Sequence, residues 1–160
     1  MVTFTVPLSF SSTEKFLDSN QLKELRWDGN FDNDNYFNTF VEKLQHLQVV
    51  VLTNVVEVNF SGLQNLPDLQ VLQFKNSNKD NNKSGLSLKR SKRLSELTFD
   101  KCFGFEELID EIWQYESLRK ISYNAFEDGG PICIHSVHCC ELISLILSNF
   151  DVDDASFKVL

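Results

Sequence analysis

The densest set of potential metal ligands in the chain is Cys133-Ile-His135-Ser-Val-His138-Cys139-Cys140, which packs thiols and imidazoles into eight residues. Thiolate and imidazole are the donors of a tetrahedral zinc site, and Cys133, His135, His138 and Cys139 are the candidate ligands. The spacing is incomplete. There is no Cys-x-x-Cys and no second ligand pair at a finger-like distance. Cysteines packed with Val137 as small apolar residues, with both histidines at the surface, need no metal and make the preferred reading. Neither a metal nor a cofactor is expected.

Nucleophilic chemistry finds little to work with. His46, His135 and His138 are the only histidines, and the chain has no Gly-x-Ser-x-Gly, no phosphate-cradling glycine loop and no His-Glu-x-x-His. Glu106, Glu107, Asp110 and Glu111 share one face at helical spacing, which reads as a solvated surface rather than paired catalytic carboxylates. Lys89-Arg-Ser-Lys-Arg93 places four basic residues in five. An import signal or an acidic-ligand patch competes there with a solvated flank beside Leu88 and Leu94, and the flank is preferred. The chain is expected not to be an enzyme.

Whole-chain properties agree with that. A length of 160 residues with 42% hydrophobic content suits one domain, 1–160, with a continuous core. A formal charge of -8 and a pI near 4.8 argue against broad binding to nucleic acid or anionic membrane. No apolar run approaches the roughly 18 residues that mark a membrane span. The opening MVTFTVPLSF lacks a basic start and a long apolar segment, and the four cysteines are unevenly placed. An intracellular protein with reduced thiols, cytoplasmic or nuclear, is expected.

The elements follow from one recurring spacing. Leu69, Leu72 and Phe74 stand three and then two apart before Ser77, and the same pattern places its key residue at Leu25, Val50, Leu72, Leu97, Ile121 and Leu145. Side chains alternate along a strand, so Leu72 and Phe74 face one way and Gln73 the other. Val2 and Phe4 sit in phase as a further strand. Phe37, Phe40, Val41 and Leu44 form an i, i+3, i+4, i+7 stripe, as do Phe105, Leu108, Ile109 and Ile112, so helices are expected in these return segments. Ser11 and Glu14 resemble a capping box. Asn76 to Lys83 reads as a solvated loop and Glu127 to Pro131 as a turn. The final DVDDASFKVL looks like the start of another return segment, which makes an incomplete array or a piece of a longer protein the expectation.

From Leu22 to Phe150 the pattern resembles the leucine-rich repeat family. The resemblance implies an α/β solenoid with a curved parallel inner sheet of about seven strands and a partly helical convex face. It also implies a protein partner bound on the concave sheet. Where the family usually places asparagine in the turn, this chain has Val55, Ser77, Cys102, Phe126 and Phe150, while Asn54, Asn76 and Asn149 fall one place earlier and Asn124 two. Cysteine at that position is similar to the intracellular subclass. The surface row would be Arg26, Val51, Gln73, Thr98, Ser122 and Ile146, in which Val51 with the flanking Val49 and Val71 makes an apolar spot, read as an anchor or as valines that satisfy strand propensity. Two narrower roles are consistent with the family: substrate recognition in an SCF-type ubiquitin ligase, or ligand sensing in an immune-type receptor.

Overall fold

The computed structural model describes residues 2–4, 22–31, 34–79, 86–105, 108, 111–112, 114–129 and 141–150. Seven parallel strands form one open sheet: β1 (Val2–Phe4), β2 (Glu24–Asp28), β3 (Val49–Thr53), β5 (Val71–Lys75), β7 (Glu96–Cys102), β8 (Lys120–Gly129) and β9 (Ser144–Phe150). Two short strands, β4 (Val56–Val58) and β6 (Asn78–Lys79), pair separately. Each strand of the main sheet lies beside the one before it in the series. Parallel neighbours cannot be joined by a hairpin, so the chain must cross back after every strand. The intervals of 22 to 25 residues leave room for that return.

The register is the one the spacing predicts. Val2, Leu25, Val50, Leu72, Leu97, Ile121 and Leu145 pair in succession across the sheet. Two residues on, Phe4, Trp27, Leu52, Phe74, Phe99, Tyr123 and Leu147 make a parallel row. The members from strand β2 to strand β8 are buried, whereas Leu145 on the last strand is 37% exposed. A repeated backbone device holds the strand starts together. The Lys23 carbonyl accepts from the N–H groups of Gln48 and Val49 at 2.8 and 3.0 Å, and the carbonyls of Gln48, Gln70, Ser95 and Arg119 do the same for the next unit.

Aromatic rings run through the core behind the sheet. Trp27 stacks on Phe31 at 4.4 Å, Phe37 meets Phe60 edge-on at 5.8 Å, and Phe60 meets Phe74 at 5.0 Å. Phe74 and Phe99 are parallel to within 2° at 5.5 Å, and Phe99 continues to Tyr123 at 5.3 Å. Each such pair adds about 0.5–1.5 kcal/mol beyond its buried area. The return segment after strand β2 carries helix α1 (Asp34–Glu42), whose Phe37, Phe40 and Val41 are buried together with the following Leu44, as the stripe requires. Ser61–Asn65 forms a 3-10 turn packed against α1, and Asn38 Oδ1 accepts the Gly62 N–H at 2.6 Å. Leu108, Glu111 and Ile112 are helical, in keeping with the second stripe.

The turns after strands β3 and β5 explain two of the displaced asparagines, Asn54 and Asn76. Gly29, Asn54 and Asn76 follow the last ladder residue of their strands, and Lys101 sits at the irregularity between Asp100 and Cys102 of strand β7; their φ are 104°, 55°, 46° and 53°. Glycine and asparagine are the residues that enter this left-handed region most readily. The next position is the inner corner. Asn30 Oδ1 accepts the Val56 N–H at 2.6 Å, and Ser77 Oγ accepts the Val55 N–H at 3.2 Å while donating to the Lys75 carbonyl at 2.8 Å. Cys102 Sγ donates to the Asp100 carbonyl at 3.4 Å. Small polar groups thus occupy the corner in three units, bonding backbone as an asparagine amide would.

Two expectations are corrected. Asn76–Lys83 is not loop throughout: strands β4 and β6 pair as a second parallel sheet, Asn78 bridges to Phe103, and Lys79 is 7% exposed. The backbone of neighbouring units supplies the pairing that side-chain composition does not reveal. Glu127 to Gly129 is not a turn either. Strand β8 runs through Gly129, which pairs with Phe150 after a register shift beyond Asn124, so the glycine-containing stretch is absorbed in an irregular strand. The expected cap at Ser11 and Glu14 and the return segment at 151–160 lie outside the described residues.

Candidate binding surface

The face of the sheet away from the aromatic core carries the surface row in register: Arg26, Val51, Gln73, Thr98, Ser122 and Ile146. Neighbouring positions in such a row are about 4.8 Å apart, so the six residues form one continuous strip. Arg26 and Ile146 are exposed, the latter by 49%, and Gln73, Thr98 and Ser122 are half-buried. Val51 departs from expectation. It is 5% exposed and stands between the longer Arg26 and Gln73, with Val49 and Val71 half-buried in the adjoining row. An aliphatic contact here therefore falls on Val49, Val71 and Ile146.

Part of each flanking row is tied down. Arg26 Nε donates to Glu24 Oε1 at 2.6 Å, and Lys120 Nζ lies 3.6 Å from Glu96 Oε2. On the other side, Asn54 Nδ2 donates to Asp28 Oδ1 at 2.7 Å, and Asn124 Nδ2 to Asp100 Oδ1 at 2.9 Å. Three of these four contacts link side chains of successive units, and they lie on both sides of the central row. The resulting strip offers a guanidinium at one end, amide and hydroxyl groups in the middle and an aliphatic side chain at the other end. Such a surface can bond polypeptide and bury a small apolar group.

The groups with displaced pKa values hold their protons rather than releasing them. Burial pushes the Cys102 thiol up to about 11, and burial pushes Tyr115 up to about 12 while its hydroxyl accepts the Leu88 N–H at 3.2 Å. A buried, protonated thiol is a poor nucleophile. His46 Nδ1 lies 3.4 Å from Asp68 Oδ2 at an exposed position, and Arg93 Nη1 holds the other oxygen of Asp68 at 2.8 Å. This line of polar contacts crosses three successive units. The metal candidates Cys133, His135, His138 and Cys139 lie outside the described residues.

Sequence reasoning missed a concavity at the edge where the strands begin. A cleft of about 680 Å³ opens between 88–95 and 114–119, lined by Lys89, Lys92, Arg93 and Arg119 among other residues. The run Lys89 to Arg93 was the available signal, but a linear reading cannot show that Arg119 joins it from the next unit. Among the described residues, no helix is long and apolar enough to cross a membrane. Comparisons of the chain with protein-family models, with curated proteins and with solved structures find no match.

Proposed function

We propose that the chain is a leucine-rich repeat solenoid of intracellular type, not an enzyme, that binds a protein partner on its concave sheet. The observation supporting this reading most strongly is the strip from Arg26 to Ile146, exposed at both ends and half-buried at Gln73, Thr98 and Ser122. Its residues are held in register by buried ladders on the opposite face, while hydrogen bonds from Asn54 to Asp28 and from Asn124 to Asp100 tie successive units beside it. Rigid presentation lowers the entropy cost of docking, because little side-chain or backbone ordering remains to be done on binding. A strip of mixed hydrogen-bonding groups with aliphatic contacts at Val49, Val71 and Ile146 suits a polypeptide surface.

Arg26→Glu tests it. Arg26 is exposed, so the substitution should leave the circular dichroism spectrum unchanged while reducing recovery of partner proteins from native lysate at least about tenfold, equivalent to about 1.4 kcal/mol. Undiminished recovery of the same partners would move the interface off this sheet.

A further inference from the structure

The cleft at the strand-start edge is distinct from the concave strip, and its chemistry runs against that of the chain as a whole. The molecule carries a net charge of -8. The cleft is walled by four cations, Lys89, Lys92, Arg93 and Arg119, against two carboxylates, Glu116 and Glu141. Those carboxylates do not neutralise it evenly. Glu141 Oε2 is held by Arg119 through Nε at 2.9 Å and Nη2 at 2.8 Å, so that pair is internally satisfied.

The remaining cations keep capacity to spare. Arg93 engages Asp68 through Nη1, leaving Nε and Nη2 for another acceptor. Lys89 lies 3.9 Å from Glu111, a long contact with its side chain 63% exposed. Lys92 is exposed, and no hydrogen bond or ion pair engages its ammonium among the described residues. A concave wall focuses such charge, because field lines converge where solvent is partly excluded.

We propose that this cleft binds the acidic side chains of a peptide segment, with carboxylate or phosphate oxygens received by Lys89, Lys92 and the free edge of Arg93. Guanidinium presents parallel donors matched to either oxyanion, and lysine adds a mobile point charge. Asp68 holds Arg93 from outside the lining, Glu141 holds Arg119 within it, and Glu116 is the other carboxylate that lines the cleft. Nucleic acid fits less well, since a polyanion extending past the cleft would meet the acidic remainder of the chain.

Fluorescence anisotropy of the full chain with labelled peptides at about 50 mM salt tests the proposal. A glutamate-rich peptide and its phosphoserine counterpart should bind, while a glutamine-rich peptide of equal length should bind at least about tenfold more weakly. Lys92→Glu and Lys89→Glu should each weaken acidic-peptide binding about tenfold. Lys43→Glu, an equal charge change at an exposed position beyond helix α1, and Arg26→Glu on the concave strip should change it less than about twofold. Preference between the glutamate and phosphoserine peptides identifies which oxyanion the cleft receives. Equal losses from Lys43→Glu and Lys92→Glu, binding of the glutamine peptide as tightly as the glutamate one, or tighter binding of a single-stranded oligonucleotide of matched charge would each overturn the assignment. Because Arg26→Glu reads the concave strip alone, failure there and failure in the cleft are separable.

Discussion

At the scale of single residues, the corner after each strand has the sharpest consequences. Ser77 is buried and accepts the Val55 N–H, so Ser77→Ala withdraws a partner from the backbone of the preceding unit. The expected loss is about 1–3 kcal/mol of stability, measured by urea unfolding. Lys101 occupies a left-handed backbone position at which Gly29 is used in another unit. Lys101→Gly should raise stability by up to about 1 kcal/mol, because relief of strain in a side-chain-bearing residue exceeds the entropy cost of glycine. Cys102 supplies a pH test. Its folded-state pKa is raised, so the protonated thiol favours the folded state below the ordinary value of 9.0, and this stability is lost as pH rises through about 11. The urea midpoint should fall more between these values than it does for Cys102→Ala; parallel curves would show that the thiol is not linked to folding.

At the scale of elements, the buried ladder was legible because strand alternation needs only the sequence. Leu72 and Phe74 had to share a face, and they pair with Val50 and Leu52 on one side and Leu97 and Phe99 on the other. Leu72→Ala removes a fully buried ladder residue and should cost about 2–5 kcal/mol by chemical denaturation, the range observed for comparable cavities. Other features depended on neighbours that a linear reading does not see. Val51 was placed in the correct row, between Arg26 and Gln73, but its burial at 5% exposure could not be read from the chain. Strand β6 arises in a polar stretch because Asn78 and Lys79 pair with Val56 and Val58, about one repeat earlier in the chain. The close approach of Gly62 to helix α1 was equally invisible. A Cβ there would lie 2.8 Å from Asn38 Oδ1 and 2.9 Å from Asn38 Cα, and the second atom is backbone. Gly62→Ala should therefore destabilise by about 1–3 kcal/mol, since overpacking must displace the helix.

At the scale of the whole molecule, one parallel sheet separates two environments. Behind it, aromatic rings from Trp27 to Tyr123 make a continuous core; on the other face runs the row from Arg26 to Ile146, with half-buried Val49 and Val71 beside it. The surface ion pairs along the strand starts, such as Arg93 with Asp68, are solvent-exposed and contribute at most about 1 kcal/mol each. Their position beside the basic cleft matters more than their stability. The row itself could be listed from sequence, whereas the cleft required the fold to bring two return segments together.

The proposal that the strip from Arg26 to Ile146 binds a protein is tested most directly by photo-crosslinking. A photoreactive amino acid placed singly at Gln73, Thr98 or Ser122 should yield the same crosslinked partner from native lysate, whereas placement at exposed Thr39 on helix α1 should yield none. Crosslinking of that partner from Thr39, with none from the three strip positions, would contradict the account.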